Sequence, residues 1–84
     1  MKKYIVGENR AAGQIKLVAY ESKDIATNQN PGGLRYAQLL GPYFMGPMIE
    51  SSRKEDCYKY IKANYPASDG WRLIDQSGYK ITLN

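Results

Sequence analysis

Eighty-four residues, 43% hydrophobic and 24% charged, make one domain, with too much apolar content for a disordered chain. Twelve basic against eight acidic side chains leave a net charge of +4, spread without a block of like charge, which permits a polyanionic partner without requiring one. Histidine is absent and Cys57 stands alone, which excludes an internal disulfide framework, a cysteine–histidine zinc site and a histidine general base.

A lone thiol in so short a chain fits a reducing compartment, because small secreted domains generally need disulfide staples. No apolar run approaches the roughly 18–20 residues of a membrane span. The opening MKKYIVGENR loses its apolar character at Gly7-Glu8, too soon for a signal peptide. The expected location is therefore the cytoplasm, away from membranes.

Lys3–Val6 is a short apolar run and predicts a strand at about 2–7. Ile15–Tyr20 alternates, with Ile15, Leu17 and Ala19 on one face, and predicts a second strand at about 14–21, paired antiparallel with the first across the polar Gly7–Gly13 connection. Val18 and Tyr20 fall on the opposite face, so that face too has reason to be covered.

From Ser22 to Met45 the regular pattern gives way to amides, glycines and prolines, and an irregular stretch of that length is usually functional, disordered or in truth a misread element. Thr27–Gly33 (TNQNPGG) reads as a turn. Its backbone amides could form an anion-binding nest with Arg35 as a clamp, but no phosphate-loop motif accompanies them and a solvated turn is the plainer reading. Leu34–Leu40 fits helical spacing at Leu34, Ala37 and Gln38, and strand alternation at Leu34, Tyr36, Gln38 and Leu40. The Gly41-Pro42 turn that follows favours the strand. Pro47 cannot donate to a ladder, so a strand through 43–50 must lie at a sheet edge or be bulged.

Ser52-Arg53-Lys54-Glu55 has the form of a capping box and predicts a helix from about Arg53 to Asn64, stopped by Pro66. Cys57, Ile61 and Asn64 form its inward stripe, flanked by Tyr58, Tyr60 and Tyr65. Trp71–Asp75 and Tyr79–Leu83 alternate and predict a closing hairpin through Gln76-Ser77-Gly78. The expected architecture is a single α+β domain over 1–84: a two-layer fold with one α-helix (about 53–64) on a four- to five-stranded, mostly antiparallel sheet. Its core would draw on Ile5, Ile15, Leu17, Ile49, Cys57, Ile61, Leu73, Ile74, Ile81 and Leu83.

Catalytic chemistry has little to work with. Cys57 falls on the inner face of the predicted helix, where a thiol acts as a small hydrophobe. The carboxylates that could pair, Asp69 with Asp75 or Glu50 with Glu55, occupy loop, cap and strand-end positions where local roles suffice. No catalytic residue, metal or cofactor is expected.

Interaction surfaces are better supplied. Leu34–Met48 has no acidic residue and one basic residue, and concentrates Tyr36, Leu39, Tyr43, Phe44, Met45 and Met48, several of them types enriched at protein interfaces. The expected function is a non-catalytic binding protein, a regulator or inhibitor that engages another protein, or a second copy of itself in a homodimer, through 27–48. Such a chain would suit a phage or mobile-element accessory protein. The alternative is a single-stranded nucleic-acid or nucleotide-binding module in which Arg35, Arg53, Lys54, Lys59, Lys62 and Arg72 act beside nearby tyrosines and Trp71, although no established RNA- or DNA-binding signature is present.

Overall fold

A computed structural model describes residues 1–78. Strands β1 (Lys2–Asn9) and β2 (Gln14–Glu21) pair antiparallel in one unbroken register, from Lys2 opposite Glu21 to Asn9 opposite Gln14. The turn between them closes on Gly13, whose positive φ of 66° suits glycine and whose N–H donates to the Arg10 carbonyl. Beyond β2 the chain passes through the irregular segment and a short helix, α1 (Tyr36–Leu40), before strand β3 (Met45–Ser51). Helix α2 (Lys54–Asn64) and strand β4 (Arg72–Gln76) follow. The sheet order is β3-β1-β2-β4, with β3 antiparallel to β1 and β4 parallel to β2.

This is the expected α+β arrangement: one main helix on a four-stranded, mostly antiparallel sheet. On one face α2 lays Cys57 and Ile61, followed by Tyr65, against Val6, Ile15 and Leu17. On the other, Leu40 packs with Ile5, Val18 and Tyr20, joined by the half-buried Ile25, Tyr36, Leu39 and Phe44. The central hairpin is therefore covered on both sides. That is why Ile5 to Glu8 and Leu17 to Tyr20 are buried at every position instead of alternately.

Leu40 owes its place to two glycines. A Cβ on Gly7 would come within 2.7 Å of Leu40 Cδ2, and one on Gly46 within 3.3 Å of Leu40 Cδ1. Gly7 in β1 and Gly46 in β3 thus make a socket that a side chain would fill. Pro47 acts as expected on both counts: β3 is an outer strand, and its register against β1 shifts between Val6 and Glu8. The Gly46–Pro47 peptide is cis.

Four local expectations are corrected. Residues 36–40 are helical, because that spacing carries Tyr36 and Leu40, four apart, onto the same sheet face; Gln38 Oε1 accepts the Arg35 N–H at 2.7 Å and Gly41, at φ 92°, ends the turn. The start of α2 uses Ser51 and Asp56 instead of Ser52 and Glu55. Ser51 Oγ accepts the Arg53 N–H at 3.0 Å and donates to Asp56 Oδ2 at 2.7 Å. Asn64 is exposed and donates back to the Tyr60 carbonyl of its own helix. Leu73, 45% exposed, is no core residue, and Ile74 is only half-buried. Ile81, Leu83 and the expected second strand of the closing hairpin lie outside the described residues.

The irregular segment is held by its own backbone. The Leu34 N–H donates to the Asp24 carbonyl at 2.7 Å, and the Ala26 N–H to the Leu34 carbonyl at 2.8 Å. Thr27 Oγ1 accepts the Asn30 N–H at 3.0 Å, closing the turn between them. Gly33 permits this closure, since a Cβ there would meet Ala26 N at 2.7 Å and Asp24 O at 2.8 Å, whereas one on Gly32 would meet nothing. Gly33→Ala should accordingly destabilise the protein by about 1–3 kcal/mol in urea denaturation, and Gly32→Ala by no more than about 0.5 kcal/mol. Equal effects would contradict this reading of the loop.

Candidate functional site

The residues Tyr36, Leu39, Tyr43, Phe44, Met45 and Met48 do not form one exposed patch. Tyr36, Leu39 and Phe44 belong to the cover of the second sheet face, and Met48 is half-buried. Tyr43 and Met45 are the two that stand out, 77% and 71% exposed. They sit just before and at the start of β3, where Met45 lies opposite Glu8 of β1.

Lys16 carries no local signal of its role. Its ammonium donates to the Leu40 carbonyl at 2.8 Å and lies 4.2 Å from the centre of the Phe44 ring. It therefore neutralises the carbonyl end of α1 and pins Phe44. Burial lowers its pKa. A lysine between Ile15 and Leu17 reads as the solvated side of an alternating strand, and nothing local reveals that this side is covered.

On the same face Tyr20, Tyr36 and Glu50 form a knot. Both phenols donate to Glu50 Oε2, Tyr36 at 2.5 Å, while their rings meet edge-on with centroids 5.9 Å apart. Lys3 Nζ lies 3.7 Å from the other carboxylate oxygen. Burial works against the ionised carboxylate, but the two hydroxyls and Lys3 outweigh it and hold Glu50 below its usual range. Burial first, then the contact with Glu50, pushes the Tyr20 phenol far above its ordinary value, and the bond to Glu50 raises Tyr36. The knot ties β2, α1 and the outer strand β3 together.

A second cluster closes at the far end of the hairpin. Tyr65 donates to the buried Glu8 at 2.6 Å, and Glu8 accepts from Arg10 at 2.9 Å. The Arg10 guanidinium lies 5.7 Å from the Trp71 ring centre, and Trp71 meets Tyr65 edge-on at 4.9 Å. The four side chains form a ring that fixes both aromatic planes. Beside it, between the second half of α2, the Ala67–Asp69 turn and β4, runs a groove of about 510 Å³ walled by Ile61, Tyr65, Trp71 and Leu73. Lys62 and Arg72 also line it.

Of the cations named for nucleic-acid contact, Arg35 stands apart from the other five. Arg35 precedes α1 on the second face, away from the layer that carries the others. Arg53 lies 4.0 Å from Glu55, and Lys54 is 3.7 Å from Asp75 and 5.4 Å from the Tyr58 ring centre. Lys59 and Lys62 are exposed on α2, and Arg72 is exposed at the head of β4. Tyr58 donates to Asp75 at 2.5 Å. Burial opposes charge on Asp75, yet Ser77, Tyr58 and Lys54 hold its carboxyl down at about 2.

Cys57 is fully buried, and burial, with Asp56 nearby, pushes its thiol up to about 11. It stays protonated at neutral pH and packs as a hydrophobe. Among the described residues no cluster of three histidine, cysteine or acidic side chains could hold a metal ion, and no helix is long and apolar enough to cross a membrane. No family model, curated protein or solved structure matches the chain.

These titrations set the pH dependence of stability. Glu50 and Asp75 are depressed from 4.5 and 3.8, so their stabilisation is complete above those values and is lost as pH falls through the folded ones, about 2 for Asp75. Tyr20, Tyr36, Tyr58 and Tyr65 are raised from 10.0, so theirs is complete below that value and is lost as pH rises beyond it. Thermal unfolding followed by circular dichroism should show a plateau between about pH 5 and 9, with losses on both sides. A midpoint still climbing above about pH 10 would contradict the tyrosine assignments.

Proposed function

We propose that this is a non-catalytic cytoplasmic binding protein, a regulator or inhibitor, whose partner is another protein docked along β3 with Tyr43 and Met45 as anchors. The observation that carries the reading is the exposure of those two side chains, 77% and 71%, at the start of an outer strand. Among the described residues the outer edge of β3 is unpaired, and no charged side chain occurs from Tyr36 to Ile49. Outer strands are ordinarily guarded by charge, and here Pro47 and the register shift are the guards. An aromatic ring and a thioether at the uncharged start of this edge suit a neutral, apolar partner surface, and burying each would contribute about 1.5–3 kcal/mol.

Rigidity supports the same reading. The Tyr20–Tyr36–Glu50 knot fixes β3 before any partner arrives, so little ordering remains to oppose association. The engagement of Arg53 by Glu55 and of Lys54 by Asp75, with Arg35 apart from the other cations, weighs against the nucleic-acid alternative.

The double variant Tyr43→Ala with Met45→Ala tests this directly. Partner retention from host extract, or self-association in sedimentation if the partner is a second copy, should weaken at least about tenfold. The thermal midpoint should stay unchanged, since neither side chain is buried. Undiminished association by the variant would refute the proposal.

A further inference from the structure

We infer that the groove between α2 and β4 binds a small amphipathic anion: an apolar, preferably aromatic, body that carries a carboxylate. This site lies apart from Tyr43 and Met45 and does not depend on the partner reading. Its volume of about 510 Å³ falls within the range of small-molecule sites. Ile15, Ile61 and Leu73 give it an apolar floor, and Leu73 remains 45% exposed there, apolar surface that an occupant would remove from water.

Its aromatic wall is built in advance. Trp71 is held edge-on to Tyr65, Tyr65 is tied to Glu8, Glu8 to Arg10, and Arg10 stacks back on Trp71. The guanidinium and the carboxylate of this ring are spent on each other, which leaves the indole as a fixed apolar surface. A planar body can slide against it without first ordering the site.

The charge of the lining has one sign. Lys62 and Arg72 are both exposed, and among the described residues neither makes an ion pair and no carboxylate lines the groove. Asp75, the nearby acid, is engaged by Tyr58, Lys54 and Ser77. The arrangement recognises an apolar body by the floor and wall and an anionic end by the cations, a division typical of small-molecule sites.

Trp71 is the single tryptophan of the chain, so its emission reports on this groove. The full chain is titrated with octanoate and 3-phenylpropionate, and in parallel with octanamide and 3-phenylpropanamide, which keep the body and lack the charge. The carboxylates should produce a saturable change in Trp71 emission, with amide-resonance shifts confined to Ile15, its strand neighbours and residues 58–73. The neutral amides should bind about tenfold more weakly, as should carboxylates to Lys62→Ala, an exposed position whose loss leaves the fold intact. The Tyr43→Ala, Met45→Ala variant should bind as the parent does. Equal affinity for acid and amide overturns the inference. So does Trp71 emission that responds to none of the probes, or that saturates with oligothymidylate and not with the carboxylates.

Discussion

A sheet whose central hairpin is buried on both faces needs two covers, and the described residues offer one long helix. Most of what is unusual in the molecule follows from that shortage. Helix α2 closes the face of Val6, Ile15 and Leu17. The opposite face, with Ile5, Val18 and Tyr20, is closed by a stretch with only one short helix, so Leu40, Phe44, Leu39 and Tyr36 must do from a nearly irregular backbone what a helix does by periodicity. Specific devices replace the missing regularity: the Gly7–Gly46 socket for Leu40, Lys16 on the Leu40 carbonyl and the Phe44 ring, and two phenols on one Glu50 oxygen.

These devices are polar at their margins and apolar at their centre, and that division explains the tyrosine content. A small domain has little interior in which to hide a ring completely. A tyrosine can bury its ring while its hydroxyl reaches a carboxylate near the edge. Tyr20 and Tyr36 do so on Glu50 and Tyr65 on Glu8, while the exposed Tyr58 reaches Asp75 in the same way. Each pairing joins elements distant in the chain, and the one to Glu8 holds a buried acid that would otherwise be costly to cover. Rings that look, in the sequence, like stacking platforms for bases are largely fasteners between strands and helices.

How far the sequence discloses this depends on range. The alternation of Ile15, Leu17 and Ala19 marks β2, and Val18 with Tyr20 signals that a second face needs cover. The proline at 47 places β3 at an edge. What stays hidden is non-local. Gly7 reads as the start of a turn, though its use is to leave room for Leu40. Five residues of α1 are too few for a period to declare itself, and tertiary contact decides the outcome. The α2 cap differs from the expected box by one position because Ser51 and Asp56 fit the geometry that Ser52 and Glu55 resemble in spacing. The parallel pairing of β4 with β2 leaves no local mark. Of the apolar residues between 34 and 48, the sequence cannot separate those that cover the sheet from Tyr43 and Met45, which project from it.

The function proposed for Tyr43 and Met45 rests on the same division, since a surface can serve a partner only if the segment bearing it is already held by the core. The central claim is therefore that the second cover is true core, and the measurement that bears on it most directly is equilibrium urea unfolding of Leu40→Ala beside Ile61→Ala. Leu40 is fully buried and Ile61 nearly so, on opposite faces of one sheet. Each truncation should cost about 2–5 kcal/mol, with a single cooperative transition and an unchanged denaturant slope. A loss below about 0.5 kcal/mol for Leu40→Ala, with Ile61→Ala strongly destabilised, would show that the second face is not part of the core.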